Sequence, residues 1–145
     1  MADDQVNVAL LMYIAHRSME TRIHEAVARA GGFDITIAQG RLAGQIGPEG
    51  TRLTELADRA QITKQTASFL VDQLEKAGCV ERVPDPGDGR ARLIRLSARG
   101  QEMADHANTI AAQIEKEWTE HLGPRRMTQL REALERLREI TDPYA

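Results

Sequence analysis

The chain holds 145 residues, 41% hydrophobic and 28% charged, with a formal net charge of -3 and a single cysteine, Cys79. That length suits one domain whose apolar surface is completed by a partner, and the composition excludes a long disordered segment. One cysteine excludes an internal disulfide framework and points to a reducing compartment. No apolar run nears the roughly 20 residues that span a bilayer. The acidic start, with Asp3 and Asp4, lacks the basic region of a signal peptide, so the expectation is a cytoplasmic protein with no membrane partner.

Residues 6–30 contain neither Pro nor Gly and are rich in Ala, Leu, Met and Arg, which predicts one long helix stopped by Gly31-Gly32. Its first half, VNVALLMYIA, is apolar almost all round and is expected to be buried between subunits. A second helix is expected over residues 36–46, ended by Gly47-Pro48-Glu49-Gly50. Thr54 offers a cap for a short helix to Ala60, and Thr63 a cap for another that reaches Ala77 and stops at Gly78. Two helices so tightly joined, with Leu56, Ala57 and Ile62 turned inward, form a helix-turn-helix. Residues 80–83 and 92–96 read as a β-hairpin, with Leu53 as a third short strand, so the central unit is a winged helix-turn-helix. Ser97 caps a long helix toward Leu122 that carries Met103, Ala107, Ile110, Ile114 and Trp118 on one stripe. After Gly123-Pro124, a last helix sets Met127, Leu130, Leu134 and Leu137 along a narrow seam. The fold class is therefore mainly α with a small β-wing. Residues 51–99 are expected to form this winged lobe, and residues 1–50 and 100–145 to supply helices of a dimerisation domain.

Charge is segregated along the chain. Residues 52–99 hold nine Lys or Arg against seven Asp or Glu, and residues 82–99 hold five Arg against two Asp, as expected of a region that faces phosphates. On the helix after Thr63, Ala67, Leu70, Val71 and Leu74 share one face and must pack inward. Gln65, Phe69, Asp72 and Lys76 lie opposite, flanked by Thr66, Ser68 and Gln73. An outer face of neutral hydrogen-bonding groups with one Phe suits base edges: Gln pairs with adenine, Ser or Thr with several acceptors, and Phe69 with a thymine methyl. Thr63, Lys64 and the first backbone N–H groups suit a phosphate. The bland alternative is a solvated helix face with a stray Phe.

The hairpin favours the first reading. In DPGDGRARLIRLS, Asp88 stands two residues before Arg90, close enough across the turn to aim its guanidinium through a charge-assisted pair. An aimed Arg on a thin hairpin suits a narrow minor groove. Asp85 with Pro86-Gly87 reads as turn chemistry, and Arg92 and Arg95 are candidates for flanking phosphates, or else solvated strand residues.

The stretch LTELADRAQITKQTASFLVDQLEKAGCVERVPDPGDGRARLIRLSARG resembles the DNA-binding lobe of the MarR (multiple antibiotic resistance regulator) family. The likeness rests on Asp88-Gly89-Arg90, which matches the Asp-x-Arg wing signature, on Leu96-Ser97 and Gly100 after it, and on Leu74-Glu75-Lys76-Ala77-Gly78. It is clear over about residues 50–101 and extends to the whole chain through the order of helices. The resemblance implies a homodimer joined by its terminal helices, a pseudo-palindromic operator on double-stranded DNA, and repression released by a small ligand between the lobes. It makes Arg90 the minor-groove arginine, Asp88 its orienting partner, and residues 63–73 the major-groove helix.

Sensor chemistry is less legible. Met12, His16, Arg17 and Met19 are candidates to line a ligand pocket, with Arg17 offering its charge to a small aromatic or acidic effector. His16, Glu20 and His24 share a helix face but lack an evident fourth ligand, so no metal site and no cofactor is expected. Cys79 occupies a position the family usually gives to an apolar residue and reads as a packed core thiol rather than a redox switch. The absence of a Gly-rich phosphate loop, nucleophile elbow or HExxH argues against an enzyme. The remaining alternative is a helix-turn-helix module for protein contacts or chromosome packaging, and the modest local charge disfavours packaging.

Overall fold

The computed structural model describes residues 5–145, so Asp3 and Asp4 lie outside the described residues. Helix α1 (Val8–Gly31) starts where the Asn7 side chain accepts from the Leu10 N–H at 2.8 Å, and ends at Gly32, whose φ of 74° suits a residue without Cβ. Helix α2 (Ile37–Ala43) opens with a reciprocal capping box between Thr36 and Gln39. It stops short of the expected Ile46 because the chain tightens into i→i+3 turns: Gln45 N–H bonds to Leu42 and Ile46 N–H to Ala43.

Helix α3 (Leu53–Ala60) corrects two expectations. Leu53 is its first residue rather than a strand, and Thr54 lies inside the helix rather than capping it; Arg52 holds the cap position without a side-chain cap bond. The third-strand role falls to Thr51, whose N–H and C=O each bond Ile94 at 2.8 Å. Helix α4 (Lys64–Lys76) follows, capped by Thr63.

Strands β1 (Val80–Asp85) and β2 (Asp88–Leu96) pair antiparallel from Val80↔Leu96 out to Asp85↔Asp88. The hairpin is longer than residues 80–83 and 92–96 suggest. Pro84 does not end the ladder because, in a two-stranded ribbon, a missing N–H is tolerated on an edge, and the register shifts at Pro84/Asp85. Helix α5 (Ala98–Leu122) is capped by Ser97, and helix α6 (Pro124–Thr141) follows Gly123, with Pro124 at the first helical position, where no N–H is required.

Leu42, Leu56, Val71 and Leu74 are fully buried, and the end of α1 (Val27), Phe33, Val80, Ile94 and Met103 join the same core. This core fixes α4 and the base of the wing in one body. Gly100 makes that junction possible: a Cβ there would lie 1.9 Å from the Cys79 carbonyl oxygen. By contrast α6 has no buried residue, and Leu130, Leu134, Leu137 and Ile140 are exposed, as are Leu10, Leu11, Tyr13 and Ile14 of α1.

Candidate nucleic-acid interface

The inward face of α4 consists of Ala67, Leu70, Val71 and Leu74, all buried. Burying those four leaves Gln65, Phe69, Asp72 and Lys76 outward, with Phe69 60% exposed despite its apolar ring. Lys64, Gln65, Ser68, Phe69 and Asp72 line a shallow depression together with Leu53 of α3. Thr63 spends its hydroxyl locally: it accepts from Thr66 N–H at 3.0 Å and donates to Thr66 Oγ1 at 2.9 Å. Lys64 is exposed and pairs with no carboxylate among the described residues.

Gln73 is placed differently from its neighbours. It is half-buried, and its Oε1 accepts from the Nε2 of Gln39, a residue only 8% exposed whose own Oε1 accepts from Thr36 N–H. The chain of three residues fixes α2 to α4, so Gln73 holds the helix in place. Asp72 and Glu75 serve a similar end, clamping Arg82 of β1 at 2.8 and 3.0 Å.

On the wing, the structure places the acidic brace elsewhere than on the Arg90 guanidinium. The Asp88 carboxylate accepts from the Arg90 backbone N–H at 3.1 Å, which fixes the turn and therefore where Arg90 leaves the backbone. Asp85 is more than turn chemistry. One oxygen accepts from Gly87 N–H at 2.9 Å, and the other receives Nε and Nη2 of Arg52 at 3.0 and 2.7 Å. The same Nη2 lies 3.9 Å from Asp88. Arg52 thus ties the far end of the hairpin to the start of α3. The Gly87 N–H and the Arg52 guanidinium hold the Asp85 carboxyl below the usual carboxylate range.

Arg90 and Arg92 are exposed and pair with no carboxylate among the described residues. Arg95 is engaged by Glu81, its partner across the ladder, at 3.0 and 2.6 Å. Among the described residues the hairpin therefore presents two unpaired cations near its tip, Arg90 and Arg92, and two neutralised ones nearer its base, Arg82 and Arg95.

A cavity of about 290 Å³ lies between α1, α2 and α5, lined mainly by apolar groups such as Ile23, Val27, Ile35 and Met103. His16 and Met19 line it. Met12 and Arg17 do not: Met12 is exposed, and the Arg17 guanidinium sits 5.4 Å from the Tyr13 ring centroid. The lining cation is instead Arg41, which meets Glu20 through Nε and Nη2 at 2.7 and 2.6 Å and holds that carboxyl below its ordinary value. His24 Nε2 lies 2.7 Å from the Ile35 carbonyl oxygen and so carries the proton it donates there. With Glu20 and His24 so engaged, no group of three His, Cys, Asp or Glu among the described residues is arranged to hold a metal ion. Cys79 is 1% exposed, and burial raises its thiol pKa above the ordinary value, against the pull of Arg99, so it stays protonated at neutral pH.

Residues 33–91, which include the helix-turn-helix and the wing tip, match the MarR family model. Over that stretch the chain is similar to the MarR family. The HTH-type transcriptional regulator FarR of Neisseria gonorrhoeae is 26% identical over 141 residues, spanning 94% of this chain and 91% of that protein. Two solved structures share the fold. NadR in complex with 4-hydroxyphenylacetate has a TM-score of 0.71 at 22% identity, covering 94% of this chain and 96% of the other. S. aureus MepR bound to ethidium bromide has a TM-score of 0.63 at 22% identity, covering 91% and 94%. With these likenesses, the chain is a transcriptional regulator with a DNA-binding winged helix, and not an enzyme.

Two contributors to the MarR-type lobe are not legible from local pattern. Arg52 lies 33 residues from Asp85, and no local spacing announces that pair. Gln39 carries a signal, since Thr36-x-x-Gln39 is a capping-box spacing, but its second bond to Gln73 is set only by tertiary packing.

Proposed function

We propose that this regulator is a homodimeric, cytoplasmic repressor that binds a pseudo-palindromic operator on double-stranded DNA and is released by a small-molecule effector. The observation that carries the proposal is the pairing of a neutral outward helix face, Gln65 to Phe69, with unpaired Arg90 and Arg92 on the adjoining hairpin. The helix reads base edges in the major groove while the hairpin reaches the flanking minor groove. Thr63, Lys64, Thr66 and Ser68 hold phosphates or bases at the helix start, and Arg95 reaches a phosphate only by exchanging Glu81 for it. Asp88 orients Arg90 through the backbone.

The dimer reading rests on the unburied apolar faces of α1 and α6, where Leu10, Leu11, Tyr13 and Ile14 and then Leu130, Leu134, Leu137 and Ile140 stand exposed. Leu134→Glu with Leu137→Glu places charge on that seam. The double variant is expected to sediment as a monomer and to lose full-site operator binding, while keeping its helical circular dichroism. Retention of the dimer would remove the seam from the interface. The cavity beside α1 is the proposed effector site, and a ligand there shifts the population toward a lobe spacing that no longer fits successive grooves.

Arg52 has a role in the same scheme as a positioning residue for the wing. Arg52→Ala is expected to weaken operator binding only modestly, by up to about fivefold, because the pair it breaks is solvent-exposed. The exchange Arg52→Asp with Asp85→Arg is expected to recover most of the loss. Because the Asp85 carboxyl is held below its ordinary value, the tether is present above that lowered value and fails only as pH falls through it. The difference between wild type and Arg52→Ala should therefore persist through mildly acidic pH in a fluorescence-anisotropy titration.

A further inference from the structure

Among the polar groups around the cavity, Arg41 is the one permanent cation, and both of its directed N–H donors toward Glu20 are spent at 2.7 and 2.6 Å. Glu20 is in turn mostly screened from solvent, with 18% side-chain exposure, and His16 Nε2 adds a contact at 3.4 Å. The pair leaves the wall without net charge before any ligand arrives, although the Arg41 side chain is itself 61% exposed. The rest of the lining is apolar, including Met19, Ile23, Ile37 and Met103, and exposed Asn108 adds a neutral amide at its rim.

We propose that this cavity selects uncharged, largely apolar ligands of about bicyclic size and discriminates against carboxylates. The proposal rests on the reading of the cavity as the effector site. A carboxylate entering the site faces two outcomes. Left unpaired, it is desolvated in an apolar pocket beside the Glu20 carboxylate; paired with Arg41, it either displaces Glu20 from Nε and Nη2 or competes with water for the donors left on a side chain that is 61% exposed. A neutral ligand meets neither penalty. Its ring surface replaces water against Ile23, Val27 and Met103, and a single hydroxyl is matched by the Asn108 amide, which both donates and accepts. The charge preference belongs to the Glu20–Arg41 pair, and not to Arg17, which stacks on Tyr13 away from the cavity.

The test is isothermal titration calorimetry of the full chain with 2-naphthol and 2-naphthoate, which share a ring system and differ in charge at pH 7.5. Wild type is expected to bind 2-naphthol on the order of tenfold or more tightly than 2-naphthoate, the scale set by one uncompensated buried charge. Glu20→Gln frees Arg41 and is expected to narrow or reverse that ratio by strengthening 2-naphthoate while leaving 2-naphthol within about twofold. Ala104→Leu and Ala107→Phe, each made separately, fill the cavity and are expected to abolish 2-naphthol binding. Tighter binding of 2-naphthoate to wild type, an unchanged ratio in Glu20→Gln, or 2-naphthol binding that survives both filling variants would overturn the assignment. So would failure of wild type to bind either compound. These titrations contain no DNA, so they are separable from the effector reading. If 2-naphthol binds with the stated preference but leaves operator affinity unchanged, the effector role falls and the charge selection stands.

Discussion

Arg90→Ala is expected to weaken operator binding by roughly tenfold to a hundredfold per wing, the effect of losing a hydrogen-bonded charge worth about 1.5–3 kcal/mol. The side chain is exposed and pairs with no carboxylate among the described residues, so removing it breaks no interaction that the fold requires. Circular dichroism, melting temperature and sedimentation should be unchanged. The slope of log affinity against log salt should fall, by about one for each phosphate that the variant no longer neutralises. Asp88→Ala should give part of the same loss, because the Asp88 carboxylate fixes the Arg90 backbone at 3.1 Å. That hydrogen bond restrains the backbone and not the exposed guanidinium, so ordering the side chain still costs about 1–2 kcal/mol on binding. Equal affinity of Arg90→Ala and wild type across a salt series would remove the wing from the interface.

Gly100→Ala is expected to give the largest loss of stability, at the upper end of the roughly 1–3 kcal/mol typical of overpacking, or more. The added methyl would lie 1.9 Å from the Cys79 carbonyl oxygen, 2.9 Å from its carbon and 3.2 Å from Leu96 Cδ2. Two of those atoms are backbone and cannot rotate away. Nor can the carbonyl shift freely, since it accepts from Ser97 N–H at 3.0 Å while the Cys79 N–H donates to Leu74 at 2.9 Å. The end of α4, the start of β1 and the first turn of α5 would have to separate together. Thermal unfolding should show a fall in melting temperature of several degrees at least, at about 2–8 °C per kcal/mol for domains of this size. Gly89→Ala is the matched control: no atom lies within 4 Å of its added methyl, so the melting temperature should hold. Equal melting temperatures for both variants would mean that the α4–β1–α5 junction is looser than these distances imply.

Elements whose cause is local were legible in the sequence. Thr63, Ser97 and Gly78 announced helix ends because capping and positive φ act within a few residues. The inward set Ala67, Leu70, Val71 and Leu74 followed from helical periodicity alone. Where the choice depended on distant partners, the pattern misled. Thr54 has a capping side chain, yet α3 begins one residue before it, and Leu53 is expected as a third short strand, yet the bridge to Ile94 is made by Thr51. Gln73 falls on the flank of α4 by angle, but Gln39 draws it inward. Arg17 lies one residue from His16 along α1, a rotation of about 100°, which takes it off the cavity wall and leaves Arg41 of α2 there.

In the proposed complex a symmetric pair of lobes reads duplex DNA with helix and wing together. The most direct measurement is a hydroxyl-radical footprint of the wild-type protein on the DNA upstream of its own gene, with Arg90→Ala beside it. The expected result is a protected site with dyad symmetry, its two half-sites about one helical turn, roughly 10 base pairs, apart centre to centre. Outer minor-groove protections should vanish in the variant while the central ones remain. Protection without symmetry, or outer protections that persist in Arg90→Ala, would contradict it.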